Sequence, residues 1–271
     1  MNAKKVLFIT QEITPYVPKS EMSKMGRNLP QAVQEAGHEI RTFMPNWGCV
    51  NERRHQLHEV IRLSGANLII DDTDHTLIIK VASIQPARMQ VYFIDNDEYF
   101  EKRLLTTDKD GNEYPDNDER AIFYGRGVLE TIKKLRWAPD VIHCQGWMSA
   151  FVPLYLKKVY NDEPVFKDSK VIYSMFGSSF KQDFPDNVTD KLVTRNISKE
   201  ELDEVVGQPV DYAEICKLAV KYSDGVIQNS AEVDQKVVDY AKKLGVPVMA
   251  YPGEDNTEAY RDFYEKVCSA E

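Results

Sequence analysis

Glycine is sparse at the start of this 271-residue chain: there are 13 in all, and none precedes Gly26. A loop that wraps phosphate needs glycine, because only bare backbone lets several N–H groups close on one anion. The segment Thr10–Glu21 has none, so the usual mononucleotide or dinucleotide cradle is not expected there, and no cofactor is implied. Cysteine is also sparse. Cys49, Cys144, Cys216 and Cys268 lie far apart with no CxxC pair, which argues against a zinc site or a disulfide framework and fits a reduced, cytoplasmic chain. Basic charge is in deficit, with 34 Lys and Arg against 43 Asp and Glu, a net charge of −9. Nucleic acid and anionic membranes both ask for a basic face, so neither is an expected partner. No apolar run approaches the 18 residues of a membrane span. The run Val6–Ile9 after Lys4-Lys5 stops at Gln11-Glu12, too early for a signal peptide.

What the sequence does contain is ordinary for a globular protein, 42% hydrophobic and 28% charged. Short all-apolar runs at Val6–Ile9, Ile40–Met44, Val91–Ile94, Val141–His143, Val171–Met175, Gly225–Gln228 and Val246–Ala250 read as buried parallel strands. Leu68–Ile70 and Leu77–Ala82, parted by Asp71-Asp72-Thr73-Asp74, read as an added antiparallel hairpin with a solvated acidic turn. Helical spacing is clear at 22–36, where Met22, Met25, Leu29, Val33 and Ala36 form one stripe, Gly37 is a cap and Pro30 predicts a kink or break. Further helices are expected at 119–135, 199–206 (Ser198 and Glu201 at capping-box spacing), 212–222, 231–244 and 257–267. The expected fold is α/β: residues 1–271 form one Rossmann-like domain with a mainly parallel, doubly wound sheet.

Several constellations have plain readings. Gly125-Arg126-Gly127 falls inside a helix and reads as a close-packing surface. Asp108, Asp110, Asn112, Tyr114, Asp116 and Glu119 match the ligand spacing of a calcium loop, but Glu113 stands where that loop needs glycine. His55 and His58 lack a third ligand and read as part of a solvated helix, and Cys144 reads as a buried structural thiol. No metal site is expected. The aromatics near the upper-rim loops (Tyr16, Trp47, Tyr99, Phe100, Tyr114, Trp147) read mainly as core, although exposed faces would suit sugar stacking.

The order Lys5-Val6-Leu7-Phe8-Ile9, Glu12, Pro15, Leu29-Pro30, Gly37-His38-Glu39, Tyr92–Asp95, Asp116–Arg120 and Trp137–His143 resembles the N-terminal half of bacterial glycogen and starch synthases. The similarity runs from about residue 4 to 230. These are retaining glycosyltransferases of family 5 with a GT-B fold, which transfer glucose from ADP-glucose to an α-glucan. The resemblance implies half of such a fold, with α-glucan as a ligand. It also implies a second domain, which residues after Ser230 are too few to build, and a returning helix at 257–267 that packs back on the first domain. An exposed face left by that second domain would be covered by this helix, by self-association or by a separate chain.

The departures from the family fall on its chemistry. Where the family has Lys-Thr-Gly-Gly, an ungapped match places Pro18-Lys19-Ser20-Glu21. Lys19 restores the cation only by slipping one place, and a glutamate would repel a diphosphate. The family's His-x-His-Asp-Trp becomes His143-Cys144-Gln145-Gly146-Trp147, and its Thr-Ile-His-Asn becomes Ser174-Met175-Phe176-Gly177. His143, Gln145 and Gly146 therefore mark a degenerate catalytic motif. Glu12, Tyr16, Lys19, Asn117, Arg120 and Trp147 are the ligand-binding candidates. The chain alone is expected to lack glucosyl transfer. A non-catalytic α-glucan- or protein-binding module, or an enzyme of another class using Glu12, Gln145 and His143, are the alternatives.

Overall fold

The computed structural model describes residues 3–270; residues 1, 2 and 271 of the expected domain lie outside the described residues. In chain order the strands are β1 (Lys5–Thr10), β2 (Glu39–Pro45), β3 (His58–Glu59), β4 (Ala66–Ile70), β5 (Thr73–Ile84), β6 (Met89–Asp95), β7 (Val141–Gln145), β8 (Lys170–Met175), β9 (Gly225–Gln228) and β10 (Val248–Met249). The helices are α1 (Glu21–Glu35), α2 (Glu52–His55), α3 (Asn117–Leu135), α4 (Val152–Lys158), α5 (Val188–Leu192), α6 (Lys199–Asp203), α7 (Tyr212–Lys221), α8 (Gln235–Leu244) and α9 (Thr257–Ser269). One sheet runs in the order β10-β9-β8-β7-β1-β2-β6-β5-β3, with β4 paired to β5. The strands from β10 to β6 are parallel, and β5 extends the sheet antiparallel to β6. This is the doubly wound α/β fold that the alternating apolar runs predict.

Alternation along β1 divides the core. Val6 and Phe8 face α1 and α9, whereas Leu7 and Ile9 face the larger core that includes α3, α4, α7 and α8. The hairpin β4–β5 turns on Asp71 and Asp72, both left-handed at φ 46° and 63°, a geometry that short acidic side chains tolerate in a two-residue loop. Gly125 and Gly127 serve close packing: a Cβ there would stand 2.9 Å from Val152 Cγ2 and 2.9 Å from Leu77 Cδ1 respectively.

Some local expectations are corrected. Helix α1 runs through Pro30 without a break, because Met25, Leu29, Pro30 and Val33 are all buried and hold the turn that lacks one donor. The helix expected from residue 231 begins at Gln235, where Asp234 accepts from Lys236 N. The last strand shrinks to Val248–Met249, since Val246 N is still engaged by Ala241 O at the end of α8. His55 ends α2, Gln56 is left-handed at φ 55°, and His58–Glu59 is a strand rather than helix. Helix α4 escapes sequence reading because Val152–Leu156 is apolar on all sides, with the rest of its core around it.

Gly26 has a tertiary role. A Cβ there would lie 2.2 Å from the Glu12 carbonyl oxygen, so the loop after β1 lies directly on α1. Gly26→Ala is expected to cost about 3 kcal/mol, the upper range for forced overpacking against backbone, measured by urea unfolding. A loss under about 1 kcal/mol would show that loop and helix separate freely.

Candidate functional site

In a doubly wound sheet the ligand crevice opens at the carboxyl ends of the strands where the order reverses. Here β1 has β2 on one side and β7 on the other, so the crevice lies beyond Thr10 and Gln145. Gln11 sits there, 5% exposed. Its carbonyl accepts from Trp47 Nε1 at 2.8 Å, and its Oε1 from Met148 N at 3.4 Å. The Tyr124 hydroxyl donates toward the Thr10 and Phe43 carbonyls at 2.7 and 3.0 Å. The crevice floor is thus protein packed on protein.

Gly146 follows β7 at φ +82°, and a Cβ there would meet Met22 Cε at 2.9 Å and Gln11 Oε1 at 3.3 Å. The backbone conformation therefore favours glycine, and the end of the Met22 side chain stands where an aspartate side chain would begin. Gln145 is fully buried, and neither of its side-chain polar atoms has a protein partner. His143 is also fully buried; Nε2 lies 2.5 Å from Ser174 Oγ and Nδ1 2.7 Å from Tyr264 Oη on α9. Burial pulls its pKa down to about 3, so the ring is neutral at physiological pH. This Ser–His–Tyr row has the spacing of a nucleophile and base but lies wholly inside the protein. Cys144 is likewise buried, and burial pushes its thiol up, away from the reactive thiolate. Trp147 is 3% exposed and meets Phe180 and Phe184 edge-on at 5.2 and 5.8 Å.

The N-terminus of α1 faces the same crevice. Ser20 caps it: Ser23 N donates to Ser20 Oγ at 2.9 Å, and Ser20 N to Ser23 Oγ at 2.8 Å. Ser20 Oγ also donates to Glu12 Oε2 at 2.5 Å, and Ser230 Oγ donates to Glu21 Oε2 at 2.5 Å. Burial raises the Glu12 pKa, an effect that the Ser20 bond offsets in part. Two carboxylates and a reciprocal serine box thus occupy the positive end of the helix, where an anion would otherwise bind. Lys19 is exposed beside them. Tyr16 is buried, edge-on to Phe93 and His55 at 4.8 and 5.0 Å, its hydroxyl pushed up to about 12 by burial.

Asn117 and Arg120 form a separate group. Arg120 is fully buried and donates from Nε to Tyr99 O at 2.7 Å, from one terminal nitrogen to Asn117 Oδ1 at 2.7 Å and from the other to Leu105 O at 2.8 Å. Its guanidinium also lies 5.0 Å from the ring centres of Trp47 and Tyr114. Burial, then repulsion from Arg103, pulls its pKa to about 9, still cationic at neutral pH. Asn117 Nδ2 donates to Thr106 O at 2.9 Å. Both side chains are engaged in pinning the loop between β6 and α3.

Sequence reading did not pick out Met22 as a filler of the crevice, Ser23 as half of a capping box, or Tyr264 as a partner of His143. Only Ser20 and Ser23, three apart ahead of an apolar stripe, left a legible signal. The acidic loop closes on itself, with Asp108 Oδ1 accepting from Asp110 N and Asn112 N at 2.8 and 2.9 Å. Among the described residues no three His, Cys, Asp or Glu side chains stand together in metal-binding geometry, and no helix is long and apolar enough to cross a membrane.

A family model described as starch synthase catalytic domain matches residues 5–246. The chain is 36% identical over 195 residues to a glycogen synthase of Chlorobium luteolum, covering 72% of this chain and 40% of that protein. It is 31% identical over 236 residues to a glycogen synthase of Chlorobaculum tepidum, covering 87% and 47%. The chain thus spans less than half the length of these curated relatives. The solved catalytic domain of starch synthase IV from Arabidopsis thaliana, bound to ADP and acarbose, superposes with a TM-score of 0.72 at 15% identity, covering 92% of this chain and 51% of that one. That likeness shows a shared glycosyltransferase fold.

Proposed function

Because this chain belongs to the starch synthase catalytic domain family, we propose that its 271 residues form a glycogen/starch-synthase-like domain that does not itself transfer glucose from ADP-glucose and serves as a non-catalytic α-glucan-binding module. The observation that carries this reading is the closed N-terminus of α1. A sugar nucleotide brings a diphosphate, which needs unpaired backbone N–H groups or a fixed cation. Here the Ser20 and Ser23 N–H groups are spent within the serine box, and the Glu12 and Glu21 carboxyl groups crowd the same helix end. Gln145 adds a neutral amide that carries neither an imidazolium nor a carboxylate charge. Support for the glucan comes from relatives named for glycogen synthesis and from the starch synthase solved with acarbose, a glucan-like oligosaccharide.

Radiolabelled ADP-glucose and glycogen, incubated with the purified 271-residue chain, are expected to give no incorporation above the protein-free blank. Native gels containing glycogen are expected to retard the chain. Incorporation would overturn the loss of transfer; unretarded migration would overturn the glucan-binding role and favour a protein partner.

A further inference from the structure

A second polar cluster lies where β5, the π-helical turn Asp97–Glu101 and the start of α3 meet. His75 on β5 is 6% exposed there. Its Nε2 is 2.9 Å from Tyr99 Oη, and Tyr99 Oη donates to Glu119 Oε2 at 3.0 Å. The other Glu119 oxygen is paired with Lys191 Nζ at 2.7 Å. The single Tyr99 hydroxyl proton goes to Glu119, so His75 Nε2 donates to Tyr99 Oη. Nδ1 faces Glu98 Oε2 at 3.2 Å, with no hydrogen bond between them and no other protein partner. With the ring proton on Nε2, these are two acceptors held close, one of them buried, that lack a shared donor.

Two hollows of about 350 and 600 Å³ flank this pair, and both are lined by His75, Asp97 and Glu98. Asp74 and Asn96 line the first; Tyr114 and Asp116 line the second, along with Lys102 and with Arg103, which Asp116 engages. Their size is that of small-molecule sites. We propose that this double hollow binds an alkylammonium ligand, a linear diamine or polyamine, whose –NH3+ donates to both His75 Nδ1 and Glu98 Oε2 while a second ammonium reaches Asp97 or Asp74. An ammonium carries three donors on one atom, which suits two converging acceptors. A metal ion would want more ligands than one histidine and one glutamate. The hollow shares no residue with the β1/β7 crevice, so it stands apart from the proposed glucan binding.

Calorimetric titration of the 271-residue chain at pH 8 separates the sources of the ammonium. Spermidine is one arm, a lysine-rich peptide the second and uncharged hexanediol the control. Saturable one-to-one binding of spermidine is expected, weakened at least tenfold by Glu98→Gln, a 70%-exposed position, and unchanged by the remote Glu258→Gln. Saturation by the peptide alone would support the same chemistry with a partner's lysine as its source. The site is overturned if neither cation binds saturably, if Glu98→Gln binds equally well, or if hexanediol binds too. It is also overturned if 15N shifts of the free protein at pH 8 show His75 doubly protonated.

Discussion

Replacing Arg120 with alanine is expected to cost about 4 kcal/mol, at the upper end for a single substitution. Two effects add. The first is a cavity between Trp47, Phe100 and Tyr114, whose ring centres lie 5.0, 5.5 and 5.0 Å from the guanidinium carbon. The second is the stranding of three acceptors, the Tyr99 and Leu105 carbonyls and Asn117 Oδ1, each costing about 1 kcal/mol or more when left unpaired without water. Arg120→Lys is expected to recover less than half, because a point ammonium cannot serve three acceptors arranged for a planar fork. Urea unfolding followed by tryptophan fluorescence reads both variants. If Arg120→Ala loses under about 1 kcal/mol, the loop it pins has other anchors and the account fails.

Acid should destabilise this protein through His143. Its folded pKa of about 3 lies below the usual value near 6.5 because the ring is buried. Above pH 6.5 the ring is neutral in both states, and its bonds to Ser174 and Tyr264 are undisturbed. As pH falls below 6.5, the unfolded chain gains a proton that the folded chain refuses until about pH 3. Stability is therefore lost across that window. The loss is about 2 kcal/mol by pH 5 and on the order of 5 kcal/mol at the acid limit. Glu12 and Asp118 act in the opposite sense: their raised folded values stabilise the fold as pH falls through them. The His143 share is isolated by subtracting the unfolding curve of His143→Gln, and ring NMR should find His143 neutral at pH 5. An imidazolium at pH 5 would contradict its enclosure.

Much of the architecture was written in one-dimensional pattern. Val6–Ile9 and Val171–Met175 read as buried strands because both of their faces are apolar. Residues 22–36 read as a helix because one stripe of Met22, Met25, Leu29 and Val33 repeats at helical steps. Pattern failed where neighbours in space overrode it. Pro30 sits in an unbroken helix because its surroundings are buried, and the uniform apolarity of Val152–Leu156 gave no period by which to tell helix from strand.

For the crevice, the sequence by itself determined what is missing: glycine before residue 26, a charged group at Gln145, a side chain at Gly146. Those are facts of residue type, and the proposed loss of phosphate and sugar chemistry is argued from functional groups alone. Only the tertiary structure decided what stands in their place. Met22 fills the space beside Gly146, Ser20 and Ser23 close the end of α1, and Tyr264, 121 residues from His143, completes its bonds. Such contacts join residues far apart in the chain, and their energies depend on distance and burial, which arise when the sheet brings its strand ends together.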